Sequence, residues 1–184
     1  MFAGNLGAAQ GLETVIEAAN LLRGTPGIQF VFVGDGVAEQ ELRSRVRQSE
    51  LSNVLFLGRY PPEGMNKLYA LADALLVHLR NDPLFEITVP HKIFSYMAVG
   101  KPILCAVGGE AAHTVVNTGA GVACPPQAAE RLAETVQMLY AMPEDQRIGM
   151  GRCGLQAART IYSREYCISQ LEALFYDVTQ ACLH

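Results

Sequence analysis

Charge is sparse in this sequence. Only 17% of the 184 residues are Asp, Glu, Lys or Arg, and the formal net charge is -4. No Lys/Arg cluster interrupts that acidic balance, which argues against a nucleic-acid partner. Arg147, Arg152, Arg159 and Arg164 come nearest, but their spacing scatters them around a helix surface. No apolar run approaches the length that crosses a bilayer, and the opening residues read as strand and turn, with no secretory leader expected. Metal-binding spacings are also missing. The five cysteines, Cys105, Cys124, Cys153, Cys167 and Cys182, form no CxxC pair, and no Asp-x-Asp cluster occurs. They read as reduced packing thiols of a cytoplasmic protein.

Apolar material is abundant: half of the residues are hydrophobic, enough for one buried core. Short runs rich in Val, Ile, Leu and Phe recur at 28–33, 53–57, 74–79, 102–107 and 121–124, each bounded by turn-forming residues. Such runs suit strands covered on both faces. Amphipathic patterns lie between them. Leu12, Val15, Ile16, Ala19 and Leu22 share one helix face, and helices are expected at 37–49, 64–72, 90–99, 127–141, 144–161 and 165–180. In the last, Leu171, Leu174, Phe175 and Val178 read as a buried stripe. Strand and helix alternate, so the expected fold is α/β: a Rossmann-like doubly wound parallel sheet of about six strands with a helical C-terminal tail. Residues 1–184 read as a single domain. The sequence opens directly in the turn Phe2-Ala3-Gly4-Asn5, which reads as a domain cut from something longer.

A doubly wound sheet binds ligands beyond the carboxyl ends of its strands, where strand order reverses. The two segments to inspect are therefore 4–11 and 80–92. In the first, Gly4, Gly7 and Gly11 permit close backbone approach, and a helix begins at Leu12. Free N–H groups and a positive helix end suit a phosphate there. The second is long for an α/β connection and leads through Pro90 into another helix. Lys92 in its first turn opposes the helix dipole, a placement that makes sense if it meets an anion.

These segments resemble the C-terminal, donor-binding domain of retaining GT-B glycosyltransferases of group 1. The resemblance rests on Phe2-Ala3-Gly4-Asn5-Leu6-Gly7 with Gln10-Gly11-Leu12, Val33-Gly34-Asp35-Gly36, Phe56-Leu57-Gly58-Arg59, Ala72-Asp73-Ala74-Leu75, the stretch Val89 to Pro102, and Gly119-Ala120-Gly121. Within that family it is most similar to the branch that transfers N-acetyl amino sugars in O-antigen or exopolysaccharide assembly. The resemblance implies binding of a nucleoside diphosphate sugar, UDP-linked by the branch assignment. It also implies a further N-terminal domain for the acceptor, no cofactor beyond that substrate, and a cytoplasmic location with peripheral association at the inner membrane face.

By the same resemblance Gly4, Asn5, Gly7, Gln10 and Lys92 lie at the donor diphosphate. Arg59, Tyr60 and Ser95 lie at the nucleobase and ribose, and Phe85, Glu86, Ile87 and Thr88 face the donor sugar. Two departures stand out. Asn5 and Gln10 occupy positions where many members carry Arg and Lys. Ile87 and Ser95 stand where many carry a pair of glutamates, with Glu86 one residue out of register. Charge for the diphosphate then falls to Lys92 and the helix N-termini at Leu12 and Pro90. No residue is assigned a catalytic role. Asp35 reads as a turn former, and His78 and His91 are left unassigned. Competing readings are a GT-B-fold UDP-sugar epimerase, a non-catalytic nucleotide binder and a nicotinamide-dependent dehydrogenase. The last lacks GxGxxG spacing.

Overall fold

A computed structural model describes residues 1–181. Cys182 and the two residues after it lie outside the described residues. Six short strands alternate with helices: β1 (Phe2–Ala3), α1 (Glu13–Leu21), β2 (Phe30–Val33), α2 (Glu39–Gln48), β3 (Val54–Gly58), α3 (Met65–Ala70) and β4 (Leu75–His78). After these come α4 (Pro83–Glu86), α5 (Lys92–Val99), β5 (Ile103–Ala106), α6 (Gly109–Asn117), β6 (Gly121–Ala123), α7 (Ala129–Ala141), α8 (Glu144–Arg159) and α9 (Arg164–Ala181).

All strand pairs are parallel. One ladder runs β1-β2-β3 and the other β4-β5-β6. They meet at β1 and β4: the Leu76 amide donates to the Met1 carbonyl (2.8 Å), and the Met1 nitrogen donates to the Ala74 carbonyl (2.8 Å). Strand order therefore reverses between β1 and β4, as the doubly wound reading requires.

Side-chain alternation shows why both faces are dry. On β4, Leu75 and Val77 enter one core cluster and Leu76 the other. On β5, Ile103 and Cys105 take the first side, Leu104 and Ala106 the second. Helices α1, α2 and α7 cover the Leu76 side, and α5, α6 and α8 the Leu75 side. Successive strand residues point to opposite faces, so a run apolar at every position needs helices on both.

Three expectations are corrected. The segment 80–92 is not a plain loop, because it holds α4. There Asp82 accepts a hydrogen bond from the Leu84 amide (2.9 Å) and Pro83 fills the first position. The helix expected from Pro90 starts at Lys92, after His91. The stripe on α9 is not buried: Leu171, Leu174, Phe175 and Val178 are 51, 58, 61 and 52% exposed. The helix period is there, but among the described residues nothing packs over that face.

Candidate functional site

At the carboxyl ends of β1 and β4 the ladders separate. The Leu76–Met1 bond is not followed by an equivalent bond to the Ala3 amide. Instead the Ala3 amide donates to the hydroxyl of Tyr96 (3.2 Å), and that hydroxyl donates to the Ala3 carbonyl (3.1 Å). Tyr96 is fully buried on α5. Burial holds its hydroxyl above the usual tyrosine range, so it is a neutral donor and acceptor.

One turn before Tyr96, the Lys92 side chain reaches back over β1. Its ammonium donates to the Gln10 side-chain oxygen (3.2 Å) and sits 4.1 Å from the centroid of the Phe2 ring. It also overhangs Gly4, where an added Cβ would come within 3.3 Å of Nζ. Desolvation pushes this ammonium down to about 8. No carboxylate lies within ion-pair distance of it among the described residues. The structure thus holds a partly desolvated cation, positioned by an amide and an aromatic face, without an anionic partner.

The first glycine segment folds beneath it. Gly7 leads into a single 3-10 turn over Ala8–Gln10, and Gly11 closes it in the left-handed region (φ 57°). Backbone bonds run from Gln10 N to Gly7 O (3.1 Å) and from Gly11 N to Ala8 O (3.3 Å). The amides of Gly7, Ala8, Ala9 and Leu12 have no acceptor among the described residues. Consecutive free amides at the mouth of a nine-residue helix are donors of the kind that suit an anion. The turn Gly34-Asp35-Gly36 buttresses it: Leu6 N donates to Asp35 O (2.8 Å) and Ala38 N to Leu6 O (2.9 Å). Asn5 lies against this turn and Gly7. Its side-chain oxygen is 2.5 Å from where a Cβ on Gly36 would stand, and its nitrogen 2.7 Å from one on Gly7.

The second segment is pinned to the first. The Arg80 amide donates to Ala9 O (3.0 Å), and the Arg80 guanidinium pairs with Glu13 (2.9 Å). The Asn81 amide donates to the Gln127 side chain (2.7 Å). His78, the last residue of β4, is fully buried, with Nδ1 2.6 Å from the Gln10 carbonyl oxygen.

Gly4, Gln10 and Lys92 are therefore brought together, with Asn5 and Gly7 on the adjoining turn. The other predicted residues spread along the same edge of the sheet. Arg59 and Tyr60 are exposed at the carboxyl end of β3, two strand spacings or about 10 Å from β1. The Tyr60 ring rests on Gly64. Ser95 is half-buried one turn after Lys92 on α5, and its hydroxyl has no hydrogen-bond partner among the described residues. Phe85 packs against the core cluster around α5, whereas Ile87 is 76% exposed. The Thr88 hydroxyl donates to Leu84 O (2.6 Å), and the Glu86 backbone lies against Gly109. Sequence reasoning gave no role to Phe2, Tyr96 or His78. Only the position of His78 at a strand end hinted at its part.

A cavity of about 500 Å³ opens at the opposite, amino end of the strands, between Phe30, Ala74, Leu104 and Tyr140. Phe2 lines it, but neither Gly4, Gln10 nor Lys92 does.

Comparison with known proteins places the same residues in context. Residues 1–150 match the sequence profile of the family described as "Glycosyl transferases group 1". The chain is 30% identical over 157 residues to the probable glycosyltransferase WbjE of Pseudomonas aeruginosa, covering 84% of this chain and 39% of that protein. It is 27% identical over 143 residues to the O-antigen chain mannosyltransferase C of Escherichia coli, covering 76% of this chain and 36% of that protein. Among solved structures, Anabaena Alr3699/HepE in complex with UDP superposes with a TM-score of 0.77 at 21% identity, over 96% of this chain and 48% of that one. The chain thus spans under half the length of these relatives.

Proposed function

The chain belongs to the group 1 glycosyltransferases, and on that premise we propose that it is the donor-binding domain of a retaining GT-B enzyme acting on a nucleoside diphosphate sugar. One observation carries the reading. The Lys92 ammonium, held over Phe2 and beside Gly4, is bonded to the side chain of Gln10, the last residue of a turn whose amides at Gly7, Ala8 and Ala9 are free among the described residues. A diphosphate brings the anionic oxygens that both features lack.

Sugar transfer breaks the bond between the anomeric carbon and the diphosphate oxygen, and negative charge builds on the leaving group. Lys92, the free amides and the amino ends of α1 and α5 are fixed before that charge appears, which is what electrostatic stabilisation of a leaving group needs. The reading requires no metal and no further cofactor. Lys92 takes up the role left open by uncharged Asn5 and Gln10, with Gln10 orienting the ammonium.

The nucleoside extends from the diphosphate towards Arg59 and Tyr60, with Ser95 placed for a ribose hydroxyl. The donor sugar lies towards Glu86, Ile87 and Thr88. UDP is the nucleotide of choice, since HepE was solved with UDP. An N-acetyl amino sugar as donor and a lipid-linked or saccharide acceptor follow from the branch resemblance. The O-antigen relative supports surface polysaccharide assembly, and the cytoplasmic face of the membrane as its place follows from the branch resemblance alone. No described helix is long and apolar enough to cross a membrane, so contact with a lipid-linked acceptor is peripheral in this reading. The acceptor site belongs to a further, N-terminal domain.

Calorimetric titration with UDP, GDP and NAD tests the reading. UDP binding that Lys92→Ala weakens by about tenfold, the worth of one charge-assisted hydrogen bond, with little change in melting temperature, supports it. NAD binding alone would overturn it.

A further inference from the structure

One buried polar side chain, His78, connects the two segments. His78 ends β4 with no exposed surface. Its Nδ1 lies 2.6 Å from the Gln10 carbonyl oxygen. A carbonyl only accepts, so Nδ1 carries the proton. Nε2 is buried and has no partner among the described residues. A second proton there would be a buried donor without an acceptor, so the ring is a neutral, fixed donor. Above it, Gly11 packs so closely that an added Cβ would stand 3.2 Å from Cε1 and 3.1 Å from Cγ of Arg80.

Gln10 is thus gripped at both ends. Its carbonyl accepts a hydrogen bond from the imidazole Nδ1–H, and its side-chain oxygen accepts one from the Lys92 ammonium. We infer that His78 is a positioning residue for donor binding: its Nδ1–H fixes the 3-10 turn Ala8–Gln10, and through the Gln10 side chain it sets where the Lys92 ammonium stands. This rests on the diphosphate reading above. The imidazole touches no substrate. It sets the tilt of the turn that presents the free amides of Ala8 and Ala9, and the direction of the Gln10 arm.

Two measurements test it. Nitrogen-15 shifts of the labelled imidazole report the tautomer directly, with no ligand present. The Nδ1–H form is expected, and an Nε2–H form would overturn the inference. UDP titration then compares His78→Ala, His78→Asn and Lys92→Ala with the parent chain. Asparagine keeps an N–H donor close to the Nδ1 position, whereas alanine removes it. His78→Ala is expected to weaken UDP by about tenfold, and His78→Asn to stay within about threefold of the parent. Equal affinities of folded His78→Ala and parent overturn the inference, as does an asparagine variant no better than alanine. If His78→Ala does not fold, the asparagine variant and the tautomer decide. If the parent itself ignores UDP, the diphosphate reading fails, and the tautomer still reports whether His78 holds Gln10.

Discussion

The hydroxyl of Tyr96 occupies the place of a strand partner for Ala3, accepting from its amide at 3.2 Å and donating to its carbonyl at 3.1 Å. One side chain thereby satisfies both backbone groups of the last β1 residue. The crevice exists because β1 and β4 pair at Met1 and Leu76 and then part. Without the hydroxyl, parting would strand two buried polar groups, whose cost opposes opening. The same helix turn supplies Lys92, so the residue that holds the crevice open and the cation inside it move together.

Tyr96→Phe therefore leaves the Ala3 amide and carbonyl without partners in a dry site. A loss of about 1–3 kcal/mol is expected for groups so stranded. Urea denaturation should show a lower midpoint at unchanged slope. An unshifted midpoint would mean that Ala3 re-pairs with β4 and that the crevice closes, which a loss of UDP affinity would report.

Much of this was legible in the sequence, for physical reasons that differ by element. The strands were readable because runs such as Ile103–Ala106 are apolar at every position and bounded by turn residues, a pattern that suits a doubly covered sheet. The meeting of segments 4–11 and 80–92 followed from topology. Lys92 stood out because its charge is wrong for a helix start unless an anion comes. What escaped was long-range: nothing local tells that the Tyr96 hydroxyl reaches Ala3, or that His78 meets the Gln10 carbonyl, 68 positions away. The α9 stripe was misjudged because periodicity reports an apolar face but not what covers it.

On the diphosphate reading, Lys92 would make donor binding pH-dependent. Its ammonium is depressed to about 8 by desolvation. A bound diphosphate supplies the missing countercharge and raises that value, so binding takes up a proton where the free ammonium is partly neutral. Uptake should be small near pH 7, grow towards pH 8–9, and vanish in Lys92→Ala. Calorimetry in buffers of different ionisation enthalpy reads it. UDP affinity should fall as pH rises above about 8. Without ligand the sign for folding is opposite. Between about 8 and the model-compound value of 10.5 the unfolded chain holds the proton that the folded one has lost, so stability rises with pH in that window. Affinity flat from pH 7 to 9 would remove Lys92 from the site.

Gly109 controls the segment assigned to the donor sugar. It has a left-handed φ of 59°, and an added Cβ would stand 1.9 Å from the Glu86 carbonyl oxygen. Gly109→Ala must therefore displace Glu86 and its neighbours, at a cost of about 1–3 kcal/mol. UDP affinity should stay near that of the parent while the affinity for UDP-N-acetylglucosamine falls. Equal losses for both ligands would place the segment away from the sugar. Gly149→Ala on α8 is the control: nothing lies within 4 Å of its added Cβ, and a helical alanine should gain about 0.5–1 kcal/mol.

The apolar face of α9 predicts the behaviour of this chain in solution. Ile168, Leu171, Leu174, Phe175 and Val178 are 44–61% exposed along one helix. Such a stripe is stable in water only at the cost of its hydration, and each side chain gains about 1.5–3 kcal/mol on full burial. Two copies laid stripe to stripe would recover part of that, so the chain should self-associate as its concentration rises. Sedimentation velocity over a hundredfold range reads the effect. Leu174→Glu with Phe175→Glu should give a monomer of unchanged helicity and unchanged UDP affinity, because α9 contributes no residue to the crevice. A parent chain that stays monomeric throughout would show that α9 is shielded by its own packing. A double variant that loses UDP affinity would instead tie α9 to the donor site.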